Sequence, residues 1–329
     1  MAAVRVAVDA MGGDRAPEEI VAGAHAARSD TIVPVLYGRQ EVLGECGLEV
    51  VHAPDVVAMD EKPGDAARTK RQSSLFATCR AVAKGEADVA LSAGNTGALL
   101  AAALVEIGRL PGVHRPAIAI PLPAFRGPSI LIDGGASADA RPEHLVQFAG
   151  MGVVFAEDVL GIPNPGVALL SIGEEPEKGN RLVREAHDLL VQTSLRFVGN
   201  VESRDLLAGA ADVVVCDGFT GNIALKALEG AVGTTLNELR QEIASTRRGK
   251  LGGLLIRPAA GALRERLNPD TYGGAYLLGL RGLVMSAHGN SSRSAIENAI
   301  RLAARGVEAR VVERVSKRVA EEPATARSS

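Results

Sequence analysis

Short apolar runs alternate along this chain with longer segments whose apolar residues recur every three to four positions, the two periods of strand and helix. Residues 4–8 read as a strand of the buried type, and a helix follows over 17–28 with proline in its first turn. Further strands are expected at 31–37, 48–52, 88–91, 166–172, 196–199, 212–216 and 282–286, with 117–121 and 129–133 as a pair. Helices are expected at 69–84, after the Gly-x-Thr-Gly loop as far as 107, at 143–155, within 174–192, at 222–246, 251–267 and 292–319. Strand and helix in alternation predict an α/β fold with a doubly wound, mostly parallel sheet. Residues 1–320 read as one catalytic unit, either undivided or shaped into two lobes around one continuous sheet, and 321–329 as a disordered tail.

Two of the predicted strand–helix units can be laid on each other without a gap. ADVALSAGNTGALLAAAL at 87–104 and ADVVVCDGFTGNIALKAL at 211–228 are identical at 8 of 18 positions. Each runs from an apolar strand through Gly-x-Thr-Gly into an Ala/Leu helix. Such a turn lets backbone N–H groups and a helix dipole face an anion. Polar side chains collect at five expected strand ends: Asp9, Gly12, Gly13 and Asp14; Asn95 and Thr96; Glu174, Glu175, Glu177, Lys178 and Asn180; Asp217, Thr220 and Asn222; His288 and Ser291. Open α/β sheets place their ligands at strand C-termini, so these loops predict a crevice for a phosphorylated ligand.

Composition narrows the classes that remain. The core must be aliphatic, because hydrophobic residues are 47% of the chain and aromatics only 3%. A net charge of −3 argues against nucleic acid as a partner. Cys46, Cys79 and Cys216 have neither metal spacing nor an even disulfide count, which points to a reducing, cytoplasmic setting. The apolar start of the chain ends at Asp9, too soon for a signal peptide, and no apolar run is long enough to span a bilayer, so a soluble protein is expected. No Gly-x-Gly-x-x-Gly, P-loop or Gly-x-Ser-x-Gly elbow occurs, and the histidines lack metal-ligand spacing.

Taken together, DAMGGDRAP at 9–17, MDEKPGDAARTKRQSS at 59–74, SAGNTGAL at 92–99, IGEEPEKGN at 172–180, GNVESRD at 199–205, CDGFTGNIALKALEG at 216–230 and AHGNSS at 287–292 resemble the bacterial phosphate acyltransferases of phospholipid synthesis. The likeness runs in order from Val4 to about Ala304. It implies a fold like the isopropylmalate and isocitrate dehydrogenases and phosphotransacetylase. It also implies transfer of a fatty acyl group from acyl-acyl carrier protein to inorganic phosphate, with no cofactor and no metal. Arg68, Ser73 and Ser74, in the second motif, join the candidate substrate contacts on this likeness. Where the family usually reads Gly-Ala-Asn, this chain has Gly135-Ala136-Ser137.

That chemistry needs an anion cradle, an oxyanion stabiliser and an oriented nucleophile, and phosphate needs no strong base. Lys178 is expected to neutralise phosphate or the developing oxyanion, and Asn222 to donate to the carbonyl oxygen, with their loops converging. Lys226, one turn beyond Asn222, is a further phosphate contact. A phosphate acetyl- or butyryltransferase using coenzyme A, and a metal-free relative of the decarboxylating dehydrogenases, are the competing readings.

The segment RRGKLGGLLIRPAAGALRERLN at 247–268 predicts a protruding basic amphipathic helical hairpin broken at Pro258. Its Leu254, Leu255 and Leu263, beside Arg257, Arg264 and Arg266, suit an anionic membrane surface, an acidic carrier protein, or the packing of a dimer. The family likeness implies a homodimer touching the membrane peripherally.

Overall fold

The computed structural model describes residues 3–321, and all of their strands enter one eleven-stranded sheet. In chain order these are β1 (Val4–Asp9), β2 (Ile32–Gly38), β3 (Glu49–His52), β4 (Val89–Ser92), β5 (Ala117–Leu122), β6 (Ser129–Ile132), β7 (Val167–Ser171), β8 (Phe197–Glu202), β9 (Val213–Val215), β10 (Ala275–Leu278) and β11 (Leu283–Ser286). The helices are α1 (Glu18–Ala27), α2 (Gln40–Leu43), α3 (Pro63–Thr69), α4 (Ser74–Ala83), α5 (Thr96–Glu106), α6 (Pro142–Asp158), α7 (Arg181–Leu190), α8 (Gly218–Ser245), α9 (Arg247–Arg266), α10 (Arg293–Glu308) and α11 (Val311–Glu321).

Spatial order is β3-β2-β1-β4-β11-β10-β5-β6-β9-β7-β8. The four pairings from β3 to β11 are parallel, the three around β10, β5 and β6 antiparallel, and the last three parallel again. The mostly parallel sheet expected from the sequence is therefore present, with its direction reversed midway. Strands β1, β4, β6, β7 and β9 are buried almost throughout, as strands covered by helices on both faces must be. Under one face α6 packs on β6 and β9, and on the other α4 packs on β1 and β4. With so few aromatics, Phe76, Phe148, Phe155 and Tyr276 are the bulky fillers among Val, Leu, Ile and Ala, all at most 1% exposed.

Four local expectations need correction. The helix expected over 69–84 starts only at Ser74, where the Ser73 hydroxyl accepts from the Phe76 N–H and caps α4, and a separate helix, α3, precedes it. The final helix is also two, separated at Arg310, whose φ of +53° no helix interior accommodates. Strand β10 was not anticipated at all. In the arm, no break occurs at Pro258: α9 is a single helix that carries this proline inside it, and the hairpin is instead α8 folding back onto α9. Of the tail expected to be disordered, Glu321 is the last residue of α11, and the rest lies outside the described residues.

Candidate active site

The first cluster is built on Asp9 at the end of β1. Its carboxylate accepts from the Ser92 hydroxyl at 2.7 Å and the Met11 N–H at 3.2 Å, and Ser74 also bonds to it. Burial holds this carboxyl above its ordinary value even though these donors pull it down. The chain can turn so tightly over Asp9 only because Gly12 has no side chain. A Cβ there would lie 2.4 Å from the carboxylate and 2.9 Å from the Gly94 nitrogen. Gly13, at φ +114°, then delivers the Asp14 N–H to the Gly289 carbonyl at 2.7 Å.

Three helices begin at this cluster. Ser73 caps α4, Asn95 caps α5 through the Ala98 N–H at 3.0 Å, and Ser292 caps α10. Asn95 also donates to the carbonyls of Met59 and Glu61, tying the 59–61 loop over the cluster. Thr96 and Ser286 hydroxyls lie 3.3 Å apart across the ends of β4 and β11. Ser291 is 3% exposed, and its Oγ has no hydrogen-bond partner among the described residues. Three helix N-termini, with the unpartnered Ser291 hydroxyl beside them, make a cradle suited to an anion.

The second cluster is built on Asp133, just past β6. Its Oδ1 accepts from Ile118, Gly135 and Ala136 N–H groups at 2.9, 3.1 and 2.9 Å, and its Oδ2 accepts from Ser137 at 2.7 Å. Ser137, at the family's asparagine position, accepts through its carbonyl from the Gly218 N–H at 2.9 Å, and its hydroxyl donates to the Pro116 carbonyl. The 134–137 loop thus holds the first turn of α8. Asp217 caps that turn, accepting from the Thr220 N–H and hydroxyl at 2.9 and 2.7 Å. Burial pushes the Cys216 thiol well above its ordinary value, so it is no thiolate nucleophile at neutral pH.

Pairing directions put the two clusters at opposite edges of the sheet, because β1, β4 and β11 run against β6, β7 and β9. The five polar loops therefore do not all leave the same edge of the sheet, whereas the sequence reading gathered them at one crevice. Sheet twist works against the reversal: at about 20–25° per step, the six pairing steps from β1 to β9 amount to roughly 120–150° of turn. Helix α8 spans the gap. It starts at the Asp133 loop and passes His288 of the first cluster, whose Nε2 lies 3.9 Å from Glu229. Asn222, Lys226 and Glu229, at i, i+4 and i+7, share the face of α8 turned along this path.

Against this geometry the sequence-derived candidates divide. Asp9, Gly12, Gly13, Asp14, Ser73, Ser74, Asn95, Thr96, His288 and Ser291 gather at the first cluster. Asp217, Thr220 and Asn222 stand at the α8 start, where a Gly135 Cβ would lie 3.6 Å from that of Asn222. Lys178 and Asn180 are on the neighbouring loop after β7, both exposed, with Asn180 capping α7 through the Val183 N–H. Three placements depart from expectation. Thr220 lies on the face of α8 away from Asn222 and Lys226, in the groove shared with Asn180. The Arg68 guanidinium, 77% exposed, pairs with Asp65 on its own helix at 2.8 Å and does not enter the cradle. Arg266 sits 5.4 Å over the Phe125 ring, so it is not simply solvated. No residue of α9 is buried, and Leu254 and Leu255 are 64% and 77% exposed.

The groove itself has a volume of about 780 Å³ and lies between α8 and the loops after β7 and β8. Among the described residues no group of three His, Cys, Asp or Glu side chains is arranged to hold a metal ion, and no helix is long and apolar enough to cross a membrane. Sequence reasoning missed Ser92, Ser286 and Asp133. Asp133 had a visible signal, since an aspartate ending an apolar strand before Gly-Gly repeats the pattern of Asp9.

A family model described as "Fatty acid synthesis protein" matches residues 4–314. A protein named phosphate acyltransferase from Heliobacterium modesticaldum is 45% identical over 316 residues, covering 93% of this chain and 94% of its own length. Its namesake from a Geobacillus species is 45% identical over 309 residues, covering 91% and 94%. Among solved structures, a phosphotransacetylase from Streptococcus pyogenes superposes with a TM-score of 0.61 at 17% identity, covering 93% of this chain and 94% of that one. A 4-hydroxythreonine-4-phosphate dehydrogenase from Klebsiella pneumoniae has the same fold at a TM-score of 0.52 and 14% identity, covering 93% and 98%.

Proposed function

We propose, from the premise that this chain belongs to the fatty acid synthesis protein family of phosphate acyltransferases, that it moves a fatty acyl group from acyl-acyl carrier protein to inorganic phosphate. The product is acyl phosphate, and the carrier thiol is released. The observation that carries this reading is the convergence of the α4, α5 and α10 N-termini beside α8, which brings Asn222 and Lys226 along its path toward the cradle.

In the proposed reaction, phosphate sits in the cradle and one of its oxygens attacks the thioester carbonyl carbon. A C–O bond forms as the carbonyl π electrons move onto oxygen. Asn222 donates to that oxyanion, and Lys178, exposed on the adjoining loop, lowers its energy by charge. Collapse breaks the C–S bond, and the departing thiolate takes a proton from hydrogen phosphate or solvent. Lys226 and His288 hold the phosphate charge. The exposed leucines and arginines of α9 support contact with an anionic membrane from the cytoplasmic side, and the same face suits a homodimer.

Phosphate-dependent thiol release from palmitoyl-acyl carrier protein tests this, run beside acetyl-coenzyme A and an isopropylmalate/NAD mixture. Release from the carrier-bound substrate is expected to dominate. Preference for acetyl-coenzyme A would favour the coenzyme A-dependent reading, and NAD reduction would overturn acyl transfer altogether.

A further inference from the structure

The groove beside α8 is not accounted for by the anion cradle, which lies on the other face of this helix. Thr220, Ile223, Ala224, Ala227 and Leu228 line it from α8, on the side opposite Asn222 and Lys226. Its other walls bring Leu170, Ile172 and Leu206, and its charged groups are already engaged. Asp217 caps α8, and Arg204 pairs with Glu202 at 3.0 Å. A cavity of this size, apolar with a few polar groups at one end, has the form of a small-molecule site.

The polar end lies at the α8 N-terminus, next to the loop that carries Lys178. Asn180, next but one to Lys178, is at the rim, and Ser171 lies beneath Gly179 with its Oγ buried and without a hydrogen-bond partner. Behind it Asn200 is 6% exposed, and its Oδ1 is also unpartnered. Ser171 lines the groove, and a buried hydroxyl left open at the mouth of an apolar groove suits a ligand with a polar head and an apolar tail. From Phe219 to Leu228 the α8 wall is about 14 Å long at about 1.5 Å per residue. Extended methylenes advance about 1.3 Å each, given C–C bonds of about 1.5 Å, so about ten of them fit along it.

We infer that this groove holds the fatty acyl chain of the substrate, the chain entering at the Asn180 end from a thioester held at the α8 N-terminus between Lys178 and Asn222, and that Ala224 and Ala227 keep the far part open and so set the chain length accepted. The inference rests on the acyl transfer proposed above.

The test replaces Ala227, which is exposed and outside the core, by Phe and separately by Leu. The kcat/KM ratio for palmitoyl- over butyryl-acyl carrier protein is then measured at saturating phosphate. If Phe excludes two or more methylenes, that ratio is expected to fall at least ~15-fold, since each buried methylene is worth about fourfold. Leu should produce a smaller fall in the same direction, with octanoyl substrate less affected than palmitoyl. An unchanged ratio in folded variants, or an equal loss for all chain lengths, would overturn the assignment. A wild-type enzyme inactive on every acyl thioester would instead defeat the proposed reaction, which separates the two failures.

Discussion

Asp133→Ala should be the most informative single change, because one carboxylate serves both fold and site. It accepts four backbone N–H groups, and the loop it holds fastens the first turn of α8 through the Ser137 carbonyl. Alanine leaves all four donors without their acceptor. The Ile118 N–H is buried within the sheet and cannot be rehydrated, whereas those of Gly135 and Ala136 are nearer the surface. At about 1 kcal/mol for each donor that water can reach, and up to about 3 for each of the two kept dry, those of Ile118 and Ser137, the loss comes to roughly 4–8 kcal/mol. That is a large share of the ~5–15 kcal/mol that holds a domain folded. Asp133→Asn keeps Oδ1 and its three bonds but opposes an NH₂ group to the Ser137 N–H, so about 1–3 kcal/mol is expected. Urea unfolding at neutral pH measures both. Turnover at low temperature, where Asp133→Ala is still folded, should also fall, since Asn222 rides on the released turn. An Asp133→Ala protein within ~1 kcal/mol of wild type would refute the assignment of this carboxylate as the loop's organiser.

Lys178→Ala and Asn222→Ala should each lower kcat about 100-fold while leaving the unfolding midpoint in place, and a well-folded variant of near-normal turnover would remove that residue from the oxyanion role. Replacing Leu254 and Leu255 by Asp should abolish flotation with anionic vesicles, and reversing Arg257, Arg264 and Arg266 to Glu should weaken it. Monomeric or insoluble leucine variants in sedimentation would identify a dimer interface instead. Burial holds the Asp9 carboxyl above 3.8, so the folded chain keeps a proton that the unfolded chain has released. The stability this group contributes is therefore full below pH 3.8 and is lost as pH rises through its folded value, and Asp9→Asn should flatten the decline of the urea midpoint across that window. An equally steep decline in the variant would count against a raised value.

Most strand–helix units could be read from the chain because buried parallel strands are uninterrupted apolar runs, as in β4 and β9, and because the loops between them carry caps. What could not be read depends on partners distant in sequence. Strand β10 is four residues, AYLL, between glycines, too short for either period to register, and it is a strand because it pairs with β5 and β11, Ala119 and Met285 standing on either side of Tyr276. The reversal of direction shows locally only in the short link that pairs β5 with β6, and its effect on the five polar loops, read as one crevice, lies in pairings distant in sequence. The polar residues of the first cluster were legible because turn chemistry and anion binding use the same Gly, Ser, Asn and Thr. The groove was not, since its wall mixes one face of α8 with residues from two other loops.

The placement of β10 bears on how the molecule comes into being at the ribosome. It is the eleventh-hour element that joins β11 to β5, yet it lies after the whole α8–α9 excursion in the chain. Until residues 275–286 have left the exit tunnel, β4 lacks its neighbour β11, β5 keeps an open edge, and the nascent chain holds two unjoined sheet fragments. An exposed edge is a template for wrong pairing. At about 5–20 residues per second, the stretch from Val215 to Ala275 keeps that edge waiting for several seconds on each emerging polypeptide.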